Sequence, residues 1–123
     1  MPEGLSVSEV SSARDLGEFV ELPYRLYSAD PDFVPPLRTD VRWMLDPGRN
    51  PFWQHARRTL FLARRGGKVV GRIAAIADDE HNRVHADRTA FFGFFECEND
   101  AEAACGLFDA AAGAVARLLP GCD

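Results

Sequence analysis

The sequence predicts a mixed α/β fold of the α+β kind, in the order β-α-α-β-β-β-α, with a largely antiparallel sheet. Three observations carry this. Two apolar runs, residues 59–64 and 69–77, are separated only by Arg65, Gly66, Gly67 and Lys68. A glycine pair supplies the positive φ that a tight hairpin turn needs. Residues 12–27 and 100–119 each begin at a capping residue and carry apolar side chains at helical spacing. Residues 89–97 hold four phenylalanines, Phe91, Phe92, Phe94 and Phe95, in a run too short for a buried helix.

Each element follows from local chemistry. Residues 5–10 (LSVSEV) alternate apolar and polar, the period of a half-buried strand. Ser12 and Asp15 form a capping box with a shorter acid than usual. The helix after them places Leu16, Phe19, Val20, Tyr24 and Tyr27 on one face, and Pro23 should kink or restart it. Pro35 and Pro36 lead into a short helix over residues 37–45, with Leu37, Val41 and Met44 inward. Residues 46–51 (DPGRNP) are a loop by composition. Gly71 interrupts the second strand of the hairpin and predicts a bulge or a close approach to its backbone. Residues 78–88 are polar and predict a loop. The phenylalanine run is apolar on both alternations, so both its faces should be covered. Asp100 is the expected N-cap of a last helix, with Ala104, Phe108, Ala111, Val115 and Leu118 on one stripe and Pro120 and Gly121 as its stop.

The composition bounds the protein class. The chain has 123 residues, 46% of them hydrophobic and 27% charged, which suits one domain that buries roughly two-thirds of its unfolded surface. No apolar run reaches the ~18 residues of a membrane-spanning helix, and the first residues lack the pattern of a signal peptide. The three cysteines, Cys97, Cys105 and Cys122, form no CxxC pair. A disulfide framework is therefore not expected, and a reducing, cytoplasmic setting is. The net charge of −5 speaks against a nucleic-acid binder. Its distribution is uneven. Residues 47–77 contain seven bases and no acid, whereas residues 96–123 contain six acids and one base. Either the basic middle marks an anion site or its bases are solvated strand ends and a turn.

Five stretches in order resemble an uncharacterised branch of the GNAT superfamily, the acyl-CoA-dependent N-acyltransferases. They are residues 22–27 (LPYRLY), 32–38 (DFVPPLR), 50–52 (NPF), 70–75 (VGRIAA) and 91–96 (FFGFFE). The element order is similar to the first half of that fold, so the chain is expected to be the N-terminal part of a longer protein or a truncated product. The resemblance implies an acyl group passed from acetyl-CoA or another acyl-CoA to an amine. The acceptor, a small molecule or a protein amine, is not identified by it. It also implies that the backbone of residues 91–96 contacts the acyl thioester and pantetheine arm. Phe94, Phe95, Glu96, Asn99 and Asp100 become the expected cofactor-binding residues, and Glu96 the expected base.

The family's loop at the next helix carries a pyrophosphate on glycines and a basic residue. The matching stretch here, residues 97–104 (CENDAEAA), has neither glycine nor arginine. Glu96, Glu98, Asp100 and Glu102 instead place four carboxylates there, which would satisfy the helix dipole and repel a diphosphate. Coenzyme binding by this chain alone is therefore expected to be weak or absent. Two functional readings follow: an acyltransferase part, or a degenerate, non-catalytic binding or structural module. Without a neighbour for the strand of Phe91 to Phe95, its edge is expected to promote self-association.

Other candidates have ordinary alternatives. Glu96 is either a base whose pKa is raised by desolvation beside Phe94 and Phe95, or a strand-end acid facing water. His81 and His85 have metal-binding spacing only on a helix, and a loop is expected there, so no metal is assigned. Cys97 and Cys105 read as small buried residues, and His55 has no evident cysteine partner. Trp43, Phe52 and Trp53 beside the arginines either stack on single-stranded nucleic acid or anchor the loop before the hairpin.

Overall fold

Gly66 and Gly67 take φ of 60° and 84° and close a two-residue turn, with Arg65 and Lys68 as register partners. Both turn residues need the left-handed region, and glycine enters it without a steric penalty. The computed structural model describes residues 4–86 and 89–118. The turn joins β2 (Ala56–Arg65) to β3 (Lys68–Asp78), which pair antiparallel. β1 (Leu5–Glu9) adds antiparallel to the outer side of β2, and β4 (Ala90–Cys97) adds antiparallel to β3. The sheet order is β1-β2-β3-β4, with β4 at an edge among the described residues.

Helices cover both faces of this sheet. α1 (Ala13–Leu26) and α2 (Arg38–Leu45) close one face, where Phe19, Val20, Leu22, Val41 and Leu45 pack with Leu60, Leu62, Ala74 and Ile76. α4 (Ala101–Leu118) closes the other, where Ala103, Leu107, Ala111 and Ala114 pack with Phe61, Ala63, Val70, Ile73 and Ala75. Strand side chains alternate between faces, so consecutive residues such as Leu60 and Phe61 enter different cores. β3 is buried from Val69 through Ala77.

Several expectations hold in detail. Ser12 Oγ accepts the Asp15 amide at 3.1 Å, and Asp15 reaches back to the Ser11 amide at 3.2 Å rather than to Ser12. Asp100 Oδ1 accepts the Ala103 amide at 3.1 Å. Gly71 meets both of its expectations. The register slips beside it, leaving Val70 as the extra residue, and a Cβ at Gly71 would stand 2.7 Å from Leu107 Cδ1 and 2.9 Å from Cys97 Sγ.

Other expectations are corrected. Helix α1 does not restart at Pro23 but runs through it as one element, with the proline buried. In α2, Val41 and Leu45 face inward, while Leu37, the residue before the first turn, and Met44 are exposed. Residues 51–54 form a 3-10 turn (Pro51–Gln54) that begins at the last residue of the expected loop. The loop expected at residues 78–88 contains a helix, α3 (Asp79–His85). Asp78 caps it by accepting the amides of Glu80 and His81, and acids at its start and bases at its end suit the dipole. Asp87 lies outside the described residues.

The stripe on α4 is also displaced. Ala103, Leu107, Ala111 and Ala114 face the sheet, not Phe108. The helix lies close enough for Leu107 to touch Gly71, and small side chains permit that approach. Phe108 points past the sheet toward β4, its ring 5.7 Å from Phe92 and 4.8 Å from Phe95. β4 is accordingly not covered on both faces: Phe91, Phe92, Phe95 and Phe108 remain 41%, 45%, 39% and 40% exposed. Pro120, Gly121 and Cys122 lie outside the described residues.

No helix among the described residues is long and apolar enough to cross a membrane.

Candidate functional site

The ladder between β3 and β4 breaks at one place. Arg72 pairs with Glu96 and Ala74 with Gly93, so Phe94 and Phe95 stand opposite Ile73 alone. This is a β-bulge, and Phe94 within it takes φ of 56°. A bulky residue in the left-handed region is uncommon and needs surrounding structure to hold it there. The Phe94 ring packs on the α1 side of the core, 6.2 Å from the ring of Phe19. Its carbonyl accepts a hydrogen bond from Arg72 Nε at 2.9 Å.

Arg72 is the buried charged residue of β3, 6% exposed. A second donor of its guanidinium reaches the Phe19 carbonyl of α1 at 2.5 Å, and the group lies 4.8 Å from the Phe19 ring centroid. Burial pulls its pKa down to about 10, against the opposing pull of the Glu96 carboxylate. It therefore stays protonated near neutral pH. In the sequence Arg72 is marked only as one of the bases of residues 47–77 and as part of the matched stretch 70–75. A lone charge in the apolar run of residues 69–77 was the available signal.

Glu96 stands one residue before the end of β4, half-buried. Its Oε2 accepts the Tyr27 hydroxyl at 2.5 Å, and that bond, with burial, pushes the phenol's pKa up. The Glu96 carboxylate is thus held by Tyr27, the cap residue that follows α1. Phe94 and Phe95 part company across the bulge: Phe94 enters the α1 side of the core, and Phe95 stacks near Phe108 of α4.

Asn99 and Asp100 lie in the turn before α4. With Arg65, Lys68, Val70, Glu98 and Ala101 they line an open groove at this end of the sheet. The carboxylates here do not stand bare, which corrects the expected acidic patch. Arg65 meets Asp100 at 2.9 Å and Glu102 at 2.7 Å, and Lys68 meets Glu98 at 3.3 Å. Arg25 of α1 approaches Glu98 at 3.9 Å. The basic middle and the acidic end of the sequence are therefore partners across the fold. The bulged Val70 accepts the Glu98 amide at 2.8 Å, which seats the turn.

Arg65, followed by the Ala103 amide, holds the Asp100 carboxyl below its ordinary pKa of 3.8. A depressed carboxylate pKa stabilises the fold above the unfolded value, and that contribution is lost as pH falls through it. The melting temperature of Asp100→Asn is therefore expected to lie below that of the unaltered chain near neutral pH. The gap should narrow as pH falls below the ordinary carboxylate range toward the depressed folded pKa. A gap that stays constant over that fall would show that the ion pair contributes nothing.

The remaining candidates do not join this site. His55 Nδ1 lies 2.8 Å from Asp78 Oδ1, near the start of β2 and the cap of α3. The rings of His81 and His85 stack at 4.6 Å on α3, and no group of three or more metal-ligating side chains is assembled among the described residues. Cys105 is exposed on the outer side of α4, against expectation. Cys97 is half-buried and its thiol pKa is pushed up by burial, the opposite of an activated nucleophile. Phe52 and Trp53 pack against the α1 side of the core, and Trp53 Nε1 donates to the Met44 carbonyl at 2.8 Å, as a loop anchor should.

The sheet order, the helix on each face and the bulged fourth strand define the class: this is a GNAT fold over the part that the chain covers. The fold matches a tandem GNAT protein from the clavulanic acid biosynthesis pathway with a TM-score of 0.68 at 17% identity, over 93% of this chain and 34% of that one. It matches an acetyltransferase from Streptococcus agalactiae with a TM-score of 0.60 at 17% identity, over 93% of this chain and 66% of that one. No family model matches the sequence. In sequence, the chain is 40% identical over 108 residues to the bacterial ceramide synthase of Caulobacter vibrioides, covering 87% of this chain and 28% of that protein. It is 33% identical over 97 residues to protein YghO of Escherichia coli, covering 79% and 25%. The chain thus spans about a quarter of the length of these curated relatives.

Proposed function

We propose that this chain carries the acyl-donor side of an N-acyltransferase, which moves an acyl group from an acyl-CoA to an amine. The bulge in β4 carries the reading. It sets Phe94 and Phe95 opposite Ile73 alone, an interruption of regular pairing beside a carboxylate at Glu96. Backbone amides turned out of a ladder by a bulge suit the oxygen of a thioester carbonyl. The relative at 40% identity is named for making a ceramide, which is an amide, and this supports an amine acceptor with a long chain.

The donor supplies an activated acyl carbonyl when bound. Lys68 and Arg25 are the residues fit for its phosphates, since their pairings with Glu98 are surface-exposed and exchange at small cost. Asp100 already occupies the α4 amide of Ala103, so this hold is weak. In the transfer, a C–N bond forms as a C–S bond breaks. Glu96 accepts the proton of the attacking amine, directly or through water, and that proton ends on the departing thiolate.

The test is to incubate the protein with a long-chain acyl-CoA and a long-chain amine while following thiol and amide together. Equal amounts of both are expected, with Glu96→Gln slower by ~10²–10⁴-fold. Thiol release without amide, or a Glu96→Gln variant as fast as the unaltered protein, would overturn the reading.

A further inference from the structure

We infer that Arg72 is a positioning residue: its guanidinium, entering from β3, sets the bulge of β4 and the place of Glu96 beside it. For its kinetic consequence this rests on the acyl-transfer reading above; its structural part rests on geometry alone.

A buried guanidinium is costly unless its donors are used, and here they join elements that the ladder does not tie together. One donor holds the Phe94 carbonyl of β4 and another the Phe19 carbonyl of α1. The bulge releases the Phe94 carbonyl from regular pairing with β3, and Arg72 takes the place of that pairing. The rings of Phe19 and Phe94 lie 4.8 Å and 5.8 Å from the guanidinium carbon and 6.2 Å from each other. Arg72 and Glu96 are register partners on neighbouring strands, so the cation and the carboxylate share one face of the sheet. Tyr27, the cap residue after α1, completes the arrangement by donating its hydroxyl to Glu96. The planar fork of arginine reaches two carbonyls of different elements at once, whereas the single ammonium of lysine does not reproduce that geometry.

The decisive variant is Arg72→Lys, which keeps the charge and loses the fork. Arg72→Met, which removes both, serves as the second variant if it folds. In the crystal structure of Arg72→Lys, Phe94 is expected to leave the left-handed region and the register of β4 to change. In the acyl-transfer assay, kcat is expected to fall on the order of 10²-fold while KM moves less than threefold, the sign of misplaced reacting groups rather than lost binding. Retention of positive φ at Phe94 together with unchanged kcat would overturn the proposal. So would a loss of kcat that merely follows the fraction of unfolded protein. If the unaltered protein transfers no acyl group, the acyl-transfer reading falls, and the Phe94 conformation in Arg72→Lys still decides whether Arg72 sets the bulge.

Discussion

Replacing Phe19 with alanine is expected to cost about 3–5 kcal/mol, a large share of the about 5–15 kcal/mol that holds a domain folded. Phe19 is fully buried, so the substitution loses its transfer free energy and opens a cavity beneath the sheet. It also removes the ring against which the Arg72 guanidinium lies at 4.8 Å. Part of the cost is therefore a charge left in a less favourable place. Urea unfolding should show a lower midpoint with an unchanged slope, and Phe19→Leu should lose less because it keeps most of the volume. A loss below about 1 kcal/mol for Phe19→Ala would mean that the core relaxes around the gap.

Gly71→Val is the second large effect, expected to cost about 1–3 kcal/mol or more through overpacking. Even the Cβ of an alanine would fall 2.7 Å from Leu107 Cδ1 and 2.9 Å from Cys97 Sγ, and Leu107 is fully buried. The remedy should lie on the other element. Leu107→Ala alone should cost about 2–5 kcal/mol, yet Gly71→Val combined with Leu107→Ala should cost less than the sum. Strict additivity of the two, measured by thermal or urea unfolding, would place the strain elsewhere.

Both substitutions act where sequence reading was partly blind. Gly71 was legible as an interruption because a glycine in an apolar strand weakens it without another reason to be there. Which side chain it admits was not legible, because Leu107 comes from an element 36 positions away. The same distinction separates the two ends of the candidate site. Asp100 was found as an N-cap from its place before the last helix, since capping acts within a single turn. Its bond to Arg65, and the pairing of Glu98 with Lys68, joined residues distant in sequence that appeared only as opposite charge blocks.

Local chemistry alone determined the hairpin at Gly66 and Gly67, the caps at Ser12 and Asp100, the strand of phenylalanines and the element order apart from α3. Each depends on a conformational demand or a hydrogen bond within three or four residues. Tertiary structure decided the rest. An alanine-rich helix such as α4 is apolar on more than one side, so the sheet chooses its buried face by how closely the two can approach. Ala103, Leu107, Ala111 and Ala114 win that place over Phe108. The left-handed turn at Phe94 goes further against local preference. No short-range term favours φ of 56° for phenylalanine, and it stands because the Arg72 guanidinium, the Phe19 ring and the ladder on either side hold it there together.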